Sequence, residues 1–195
     1  MSSLTCPDES LVTLAQSGDM PALDALVRRH QAWVFNLALR MVWRREVAED
    51  AAQEILIKAV THLGSFERQS KFSTWLHRIA VNHLLKVRKS EMEEKAMTFT
   101  DMGTSLDNVI EEDLPPHMML VIEEARMGCI TAMLMCLDRR QRLAFILGEV
   151  MGEDSETAAA ALDITPANFR QLLTRARRDL YQFMNGKCGL VNQAN

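Results

Sequence analysis

Residues 66–89, FERQSKFSTWLHRIAVNHLLKVRK, hold the side chains best suited to a defined chemistry. Between Arg68 and Lys89 stand six cations, Arg68, Lys71, Arg78, Lys86, Arg88 and Lys89, and no acid, in a chain of formal charge −4. Phe66, Phe72 and Trp75 sit among them. Cations that follow a phosphate backbone, mixed with aromatic rings on which bases stack, suit single-stranded nucleic acid. Gln69 and Ser70, on a flexible basic connection over 66–72, add hydrogen-bonding groups, and Asn82 carries an amide that both donates and accepts. The same stretch also reads as an amphipathic helix with a solvated basic face. Ser73 or Thr74 would cap it, and Leu76, Ile79, Ala80, Leu84 and Val87 recur at helical spacing. Composition leaves both readings open.

Two further groups of polar residues stand out. Asp50, Gln53 and Glu54 fall at i, i+3 and i+4, on one face of a helix. Near the C-terminus, Thr165, Asn168, Arg170, Gln171 and Arg175 lie at or near the start of a basic helix, with Arg177 and Arg178 further along. A basic helix after a short helix and a tight turn is a helix-turn-helix pattern, whose second helix meets base edges in the major groove. Arginine pairs with guanine and glutamine with adenine, while Arg177 and Arg178 are placed for phosphate. No catalytic set is found: Asp50 and Glu54 are paired by spacing, with no His or Cys motif beside them. The four cysteines form no C-x-x-C pair and the five histidines no H-E-x-x-H spacing, so neither metal nor cofactor is expected.

Helices must position these groups. Hydrophobic residues make up 48% of the 195-residue chain, enough for a core, and only eight Gly and five Pro argue against a β-rich or disordered protein. The thirteen Met read as flexible core filler. No apolar run approaches the ~18 residues of a membrane span, and the N-terminus has no signal-peptide pattern, so reduced thiols in a cytoplasm are expected. The spacing predicts a short helix over 9–17, then a long one capped by Asp19 with Pro21 in its first turn. Leu23, Leu26, Val27, Val34, Leu37, Ala38 and Met41 form its stripe. A helix over 46–63 turns Ala48, Ala52, Ile55, Ala59 and Leu63 inward. The basic helix, 73–89, closes a first domain. Residues 91–117 show no sustained period beyond a transient helical turn, and read as a linker. Residues 91–124 hold ten acids against one base, Lys95, a charge of −9, so the remainder carries +5. From Met118 the helical period resumes. Helices over 139–150, 156–162 and from Pro166 to about 184 follow, the last with Phe169, Leu173, Ala176 and Leu180 inward. The expected architecture is all-α: a helical domain over 8–92, an acidic flexible linker over 93–117, a helix-turn-helix domain over 118–185 and a tail over 186–195.

The order of residues narrows the reading. Phe66-x5-Phe72-x-Thr-Trp-Leu-x-Arg-Ile-Ala-x-Asn82 resembles the promoter-melting segment of bacterial RNA polymerase sigma factors, above all the small extracytoplasmic-function group of the sigma-70 family. Asp50-x-x-Gln53-Glu54-x-x-x-x-Ala59 resembles that family's segment that binds the clamp helices of the largest polymerase subunit. Leu137-x-x-Arg-Gln-Arg142 and Leu173-x-Arg-Ala-Arg177 resemble its minus-thirty-five-binding domain. Two positions depart: Asp163 stands where a turn Gly is usual, and Ala167-Asn168-Phe169-Arg170-Gln171-Leu172 replaces Gly-Thr-Val-Lys-Ser-Arg.

The resemblance implies a non-enzymatic subunit that binds core RNA polymerase and promoter DNA, duplex and single-stranded, without membrane insertion; it also admits an anti-sigma factor. Asp50, Gln53 and Glu54 would meet the polymerase. Arg68, Gln69, Ser70, Lys71, Arg78, Asn82, Lys86 and Arg88 would meet the minus-ten strand. Thr165, Asn168, Arg170, Gln171, Arg175, Arg177 and Arg178 would meet the minus-thirty-five duplex. The acidic linker, with Glu111, Glu112 and Asp113, would thread a channel built for a polyanion; a disordered spacer is the other reading.

Overall fold

The computed structural model describes residues 6–87, 89, 93, 98–107 and 132–187. Every element found among them is helical: α1 (Asp8–Gln16), α2 (Met20–Val42), α3 (Arg45–His62), a 3-10 turn (Leu63–Ser65), α4 (Phe72–Leu84), α5 (Phe99–Asp107), α6 (Arg139–Phe145), a π turn (Ile146–Val150), α7 (Ser155–Leu162) and α8 (Pro166–Lys187). They group into two compact units, Met1–Val87 with Ile146–Arg170, and Arg88–Phe145 with Gln171–Asn195. Residues 146–170 thus pack with the N-terminal helices.

In the first unit α2 and α3 form the central pair. Asp19 accepts from the Ala22 N–H at 2.8 Å and starts α2, with Pro21 in the first turn. Leu26, Val34, Leu37, Ala38 and Met41 are buried, as their spacing requires. Trp43, left-handed at φ 61°, ends the helix. The small side chains Ala48, Ala51, Ala52 and Ala59 let α3 approach α2 closely, with Ile55 between them. α4 packs on both, burying Phe72, Leu76, His77, Ala80, Val81 and Leu84. α7 packs on α4 through Ala158, Ala159, Ala161 and Leu162. Asp154 caps α7 by accepting from the Thr157 N–H at 2.8 Å. Asp163 then turns the chain left-handed at φ 55°, as expected for a short polar residue in that position.

The second unit turns on a buried charge. Arg142 is 1% exposed and donates to the carbonyls of Leu134, Met135 and Leu137 at 2.8–3.1 Å, and to Glu93 Oε1 at 2.7 Å. Arg139 binds both oxygens of Glu93, at 3.0 and 2.9 Å. In α5, Thr98 and Asp101 cap each other reciprocally, which lowers the Asp101 pKa. Met102 is buried with Cys136 Sγ 4.0 Å from its sulfur, and Phe99 meets Phe183 at 5.3 Å. A Cβ on Gly103 would lie 3.1 Å from Lys187 Cε, so a larger residue there would push the lysine side chain aside by a few tenths of an ångström.

Four expectations change. The linker expected over 93–117 begins with a buried, doubly paired Glu93 and contains the helix α5. An isolated nine-residue segment gains little from helix propensity; its cap and the burial of Met102 supply the stability. The basic helix starts at Phe72 and ends at Leu84, so Lys86 sits in a turn. Lys71 is its N-cap, without a side-chain hydrogen bond, and Ser73 and Thr74 lie inside the first turn. The loop over 66–72 is pinned rather than loose: Gln16 Nε2 donates to the carbonyls of Leu63 and Phe66, and Gln16 Oε1 accepts from Arg68 at 2.9 Å. Arg88, Glu111, Glu112, Asp113, residues 118–131 and the tail from Cys188 lie outside the described residues.

Candidate nucleic-acid and polymerase interface

Two of the three aromatics of the basic stretch are core, and the third, Trp75, is half-buried against them. Phe66 and Phe72 are 7% and 5% exposed and meet edge-to-face at 5.9 Å; Trp75 lies 5.1 and 5.6 Å from them. A ring that closes the core against two others has no free face for a base, so stacking of bases on Phe66 and Phe72 is excluded. The polar groups remain outside. Gln69 donates to Glu67 at 2.9 Å, and Arg68, Ser70 and Lys71 line a cavity of about 250 Å³ with Glu9, Val12, Phe66 and Phe72.

Asn82 and Lys86 line a different cavity, of about 390 Å³, with Lys58, His62, Ser65, Trp75, Ile79 and His83. Of the residues expected to meet the minus-ten strand, Arg68, Ser70 and Lys71 thus line one cavity and Asn82 and Lys86 another. Lys58 Nζ donates to His83 Nδ1 at 2.6 Å, and Glu54 lies 3.9 Å from His83 Nε2. Burial first, then the Lys58 charge, lowers the His83 pKa against the pull of Glu54. The neutral ring accepts from Lys58 on one nitrogen and turns its N–H toward Glu54 on the other. Lys58, His62 and His83 were missed from the sequence. Their signal was position: Lys58 and His62 are four apart on α3, off its buried Ala stripe.

Arg78 is exposed and ion-paired, its Nη2 2.8 Å from Asp163 Oδ1. One turn of contact away, His77 is 4% exposed and stacks on Trp33 with ring centroids 3.6 Å apart and planes 4° apart. Burial, and secondarily His30, pushes the His77 imidazole down to about 4, so it is neutral at pH 7. Trp33 Nε1 donates to Glu153 Oε1 at 3.2 Å, and that oxygen lies 3.6 Å from His77 Nδ1. Burial raises the Glu153 pKa, while the Trp33 N–H holds it down.

Asp50, Gln53 and Glu54 are exposed on α3. Gln53 and Glu49 rim an open groove of about 680 Å³ whose floor is Val27, Phe35, Ala52, Leu56, Ile57 and Val60. Ile57 is 53% and Val60 38% exposed. This apolar neighbour of the acidic patch was also missed. Its signal was Ile57 and Val60 falling outside the inward stripe of an otherwise amphipathic helix. On α8, Thr165 caps the helix, its Oγ1 accepting from the Asn168 N–H at 3.2 Å. Asn168, Arg170, Gln171, Arg175, Arg177 and Arg178 are exposed, and Arg178 donates to Asp179 at 2.8 and 3.0 Å.

No group of His, Cys, Asp and Glu among the described residues could hold a metal ion, and no described helix is long and apolar enough to cross a membrane.

Comparison with known proteins bears on the same surfaces. Residues 26–92 match the Sigma-70 region 2 family and residues 127–180 the Sigma-70 region 4 family. The ECF RNA polymerase sigma-E factor of Haemophilus influenzae is 34% identical, over 87% of this chain and 91% of that protein. The sigma-E factor of Escherichia coli K12 is 32% identical over 87% and 90%, and the RNA polymerase sigma-H factor of Pseudomonas aeruginosa 31% over 87% and 90%. Among solved structures, CnrH in complex with the cytosolic domain of CnrY superposes with a TM-score of 0.69 at 20% identity, covering 92% of this chain and 97% of that one. The sigma factor RpoE of Bartonella quintana, in complex with the anti-sigma factor NepR, gives 0.56 at 24% identity, over 82% and 94%. At these identities the two structures speak for the fold.

Proposed function

The chain belongs to the extracytoplasmic-function group of the sigma-70 family, and we propose how its residues carry that family's work. As a sigma factor it binds core RNA polymerase and directs promoter-specific initiation of transcription; RNA synthesis itself rests with the core enzyme. The solved neighbours are complexes with partner proteins, one of them named an anti-sigma factor, and such a partner is proposed for this chain as well. The working place is the polymerase in the cytoplasm.

Within that role the cavity around Asn82 takes a base of the non-template minus-ten strand. One observation carries this: an exposed amide on a helix whose opposite face is core, in a polar cavity flanked by Lys58 and Lys86. An extruded base loses stacking worth a few kcal/mol, which hydrogen bonds to its edge and phosphate contacts must offset. The amide supplies the first, Lys58, Lys86 and Arg78 the second. Lys71, at the start of α4, guides the strand beside the neighbouring cavity. Asn82→Ala and Lys71→Ala are expected to slow opening of a duplex promoter roughly tenfold, the scale of one such polar contact. Permanganate reactivity of unpaired thymines reads this. Both variants should keep most of their activity on a template carrying a pre-melted bubble. Wild-type opening of a closed duplex by both would sink the assignment.

The minus-thirty-five duplex is read by the start of α8. Here Arg170→Ala or Gln171→Ala should change sequence preference, losing ~1–3 kcal/mol on the preferred site alone. Arg178→Ala should weaken specific and random DNA alike, since a phosphate contact carries no base information. Competition binding separates the two patterns. Equal losses on both DNAs for every variant would refute the division of labour.

A further inference from the structure

The six residues between the 3-10 turn and α4, 66–71, belong to no regular element, and one of them, Arg68, is left-handed at φ 59°. That region suits Gly and, among the other residues, Asn and Asp; an arginine gains nothing there locally. Such a conformation persists when its surroundings impose it, and it is found where a site is being shaped. The hold here comes from another helix. Gln16, the last residue of α1, donates both amide hydrogens, to the carbonyls of Leu63 and Phe66 at 2.9 and 3.0 Å. Its oxygen accepts from Arg68 Nη2 at 2.9 Å. One planar amide thus fixes three points at the start of the loop relative to one another.

α1 is itself anchored. Leu11 and Val12 are buried, and Asp8 pairs with Arg29 and His30 of α2. Gly18, φ 97°, turns the chain toward α2, and the Asp19 N–H donates back to the Leu14 carbonyl at 3.0 Å, so the end of α1 that carries Gln16 is held on both sides. α1 also gives Glu9 and Val12 to the cavity of about 250 Å³ that Arg68, Ser70 and Lys71 line. It does so from ahead of residues 26–92, the segment that matches region 2.

We propose that α1 braces the strand-guiding loop, and that Gln16 is a positioning residue for strand opening, holding 66–71 in the shape that sets Ser70 and Lys71 beside the cavity before a strand arrives. The inference deepens the proposed function and rests on its assignment of Lys71. A loop free to relax at Arg68 would have to be ordered again at each capture, and that ordering cost is subtracted from the binding free energy. A braced loop has met the cost during folding. Gln16 acts through the loop and not on the strand.

Gln16→Met keeps the length of the side chain and removes all three hydrogen bonds. In the full-length free protein, trypsin should then cut after Arg68 and Lys71 roughly fivefold faster, the scale of one net hydrogen bond lost from a local opening equilibrium. Cutting after Arg44, between α2 and α3, should not change. The second readout is opening of the same duplex promoter by holoenzyme that tests Lys71→Ala. Gln16→Met should slow it about fivefold. Added to Lys71→Ala, it should slow opening by less than about twofold more, because the loop it positions has already lost its cation. Added to Asn82→Ala, whose side chain lies in the other cavity, its full loss should multiply. Wild-type cutting after Arg68 and Lys71 overturns the brace, and so does equal acceleration after Arg44, which would mean general destabilisation. Full multiplication with Lys71→Ala overturns the positioning role. If Lys71→Ala and Asn82→Ala slow opening and Gln16→Met does not, this inference fails and the proposed function stands. If none of the three slows it, the proposed function fails and the positioning role with it.

Discussion

Arg142→Ala is expected to cost the second unit about 3–5 kcal/mol, because it strips one partner from a buried ion pair. The guanidinium is 1% exposed and satisfies three carbonyls, those of Leu134, Met135 and Leu137, together with Glu93. Burial lowers its pKa and Glu93 opposes that shift, so the charge is held by its partner. Alanine would take the guanidinium donor from three carbonyls and one of its cationic partners from Glu93, whose side chain is 5% exposed. A loss of this size is a large share of the ~5–15 kcal/mol that keeps a typical domain folded. Urea unfolding followed by circular dichroism checks it. The exposed neighbour Arg140→Ala serves as control and should stay within ~0.5 kcal/mol of wild type. A loss under ~1 kcal/mol for Arg142→Ala would mean that the cluster is hydrated and its burial overstated.

Charge reversal at Asp50 and Glu54 together is expected to weaken assembly with core polymerase by ~10–100-fold while leaving the helix intact. Both side chains are exposed, so neither carries the fold. Rim charges of this kind act through encounter rate and salt dependence, so the loss should appear mainly in the association rate and shrink at high salt. The groove beside them acts differently. Ile57→Asp puts a charge where an apolar partner surface would lie, and should raise the dissociation rate instead. Binding kinetics with purified core enzyme separate the two effects, and circular dichroism confirms that α3 is retained. Unaltered core affinity in the Asp50/Glu54 double variant would remove this face from the polymerase interface.

Much of the chain was legible before any coordinates, because its signals are local. The Asp19 cap with Pro21, the inward faces of α2 and α3, the left-handed turn at Asp163 and the Phe169–Leu173–Ala176–Leu180 stripe depend on residues within a turn or two of one another. The exposure of Asp50, Gln53, Glu54 and Asn82 follows from the same periods. Local spacing also carried the family resemblance.

What local spacing could not decide is which distant groups meet. Aromatic residues among cations suit a stacked base and a packed core equally well. Only the approach of α4 to the 3-10 turn put Phe66, Phe72 and Trp75 against one another. Gln16 holds the loop at Arg68 from 52 residues away, Glu93 meets Arg142 across 49, Arg78 meets Asp163 across 85 and Trp33 meets Glu153 across 120. Helical periodicity states which face of a helix is apolar or charged, and caps state where it begins and ends. Neither says what lies across from that face. A charged side chain on an exposed stripe has the same sequence signature whether it stays open to solvent, as Lys86 does, or already holds a carboxylate, as Arg78 does. The choice between those fates is made when the helices pack.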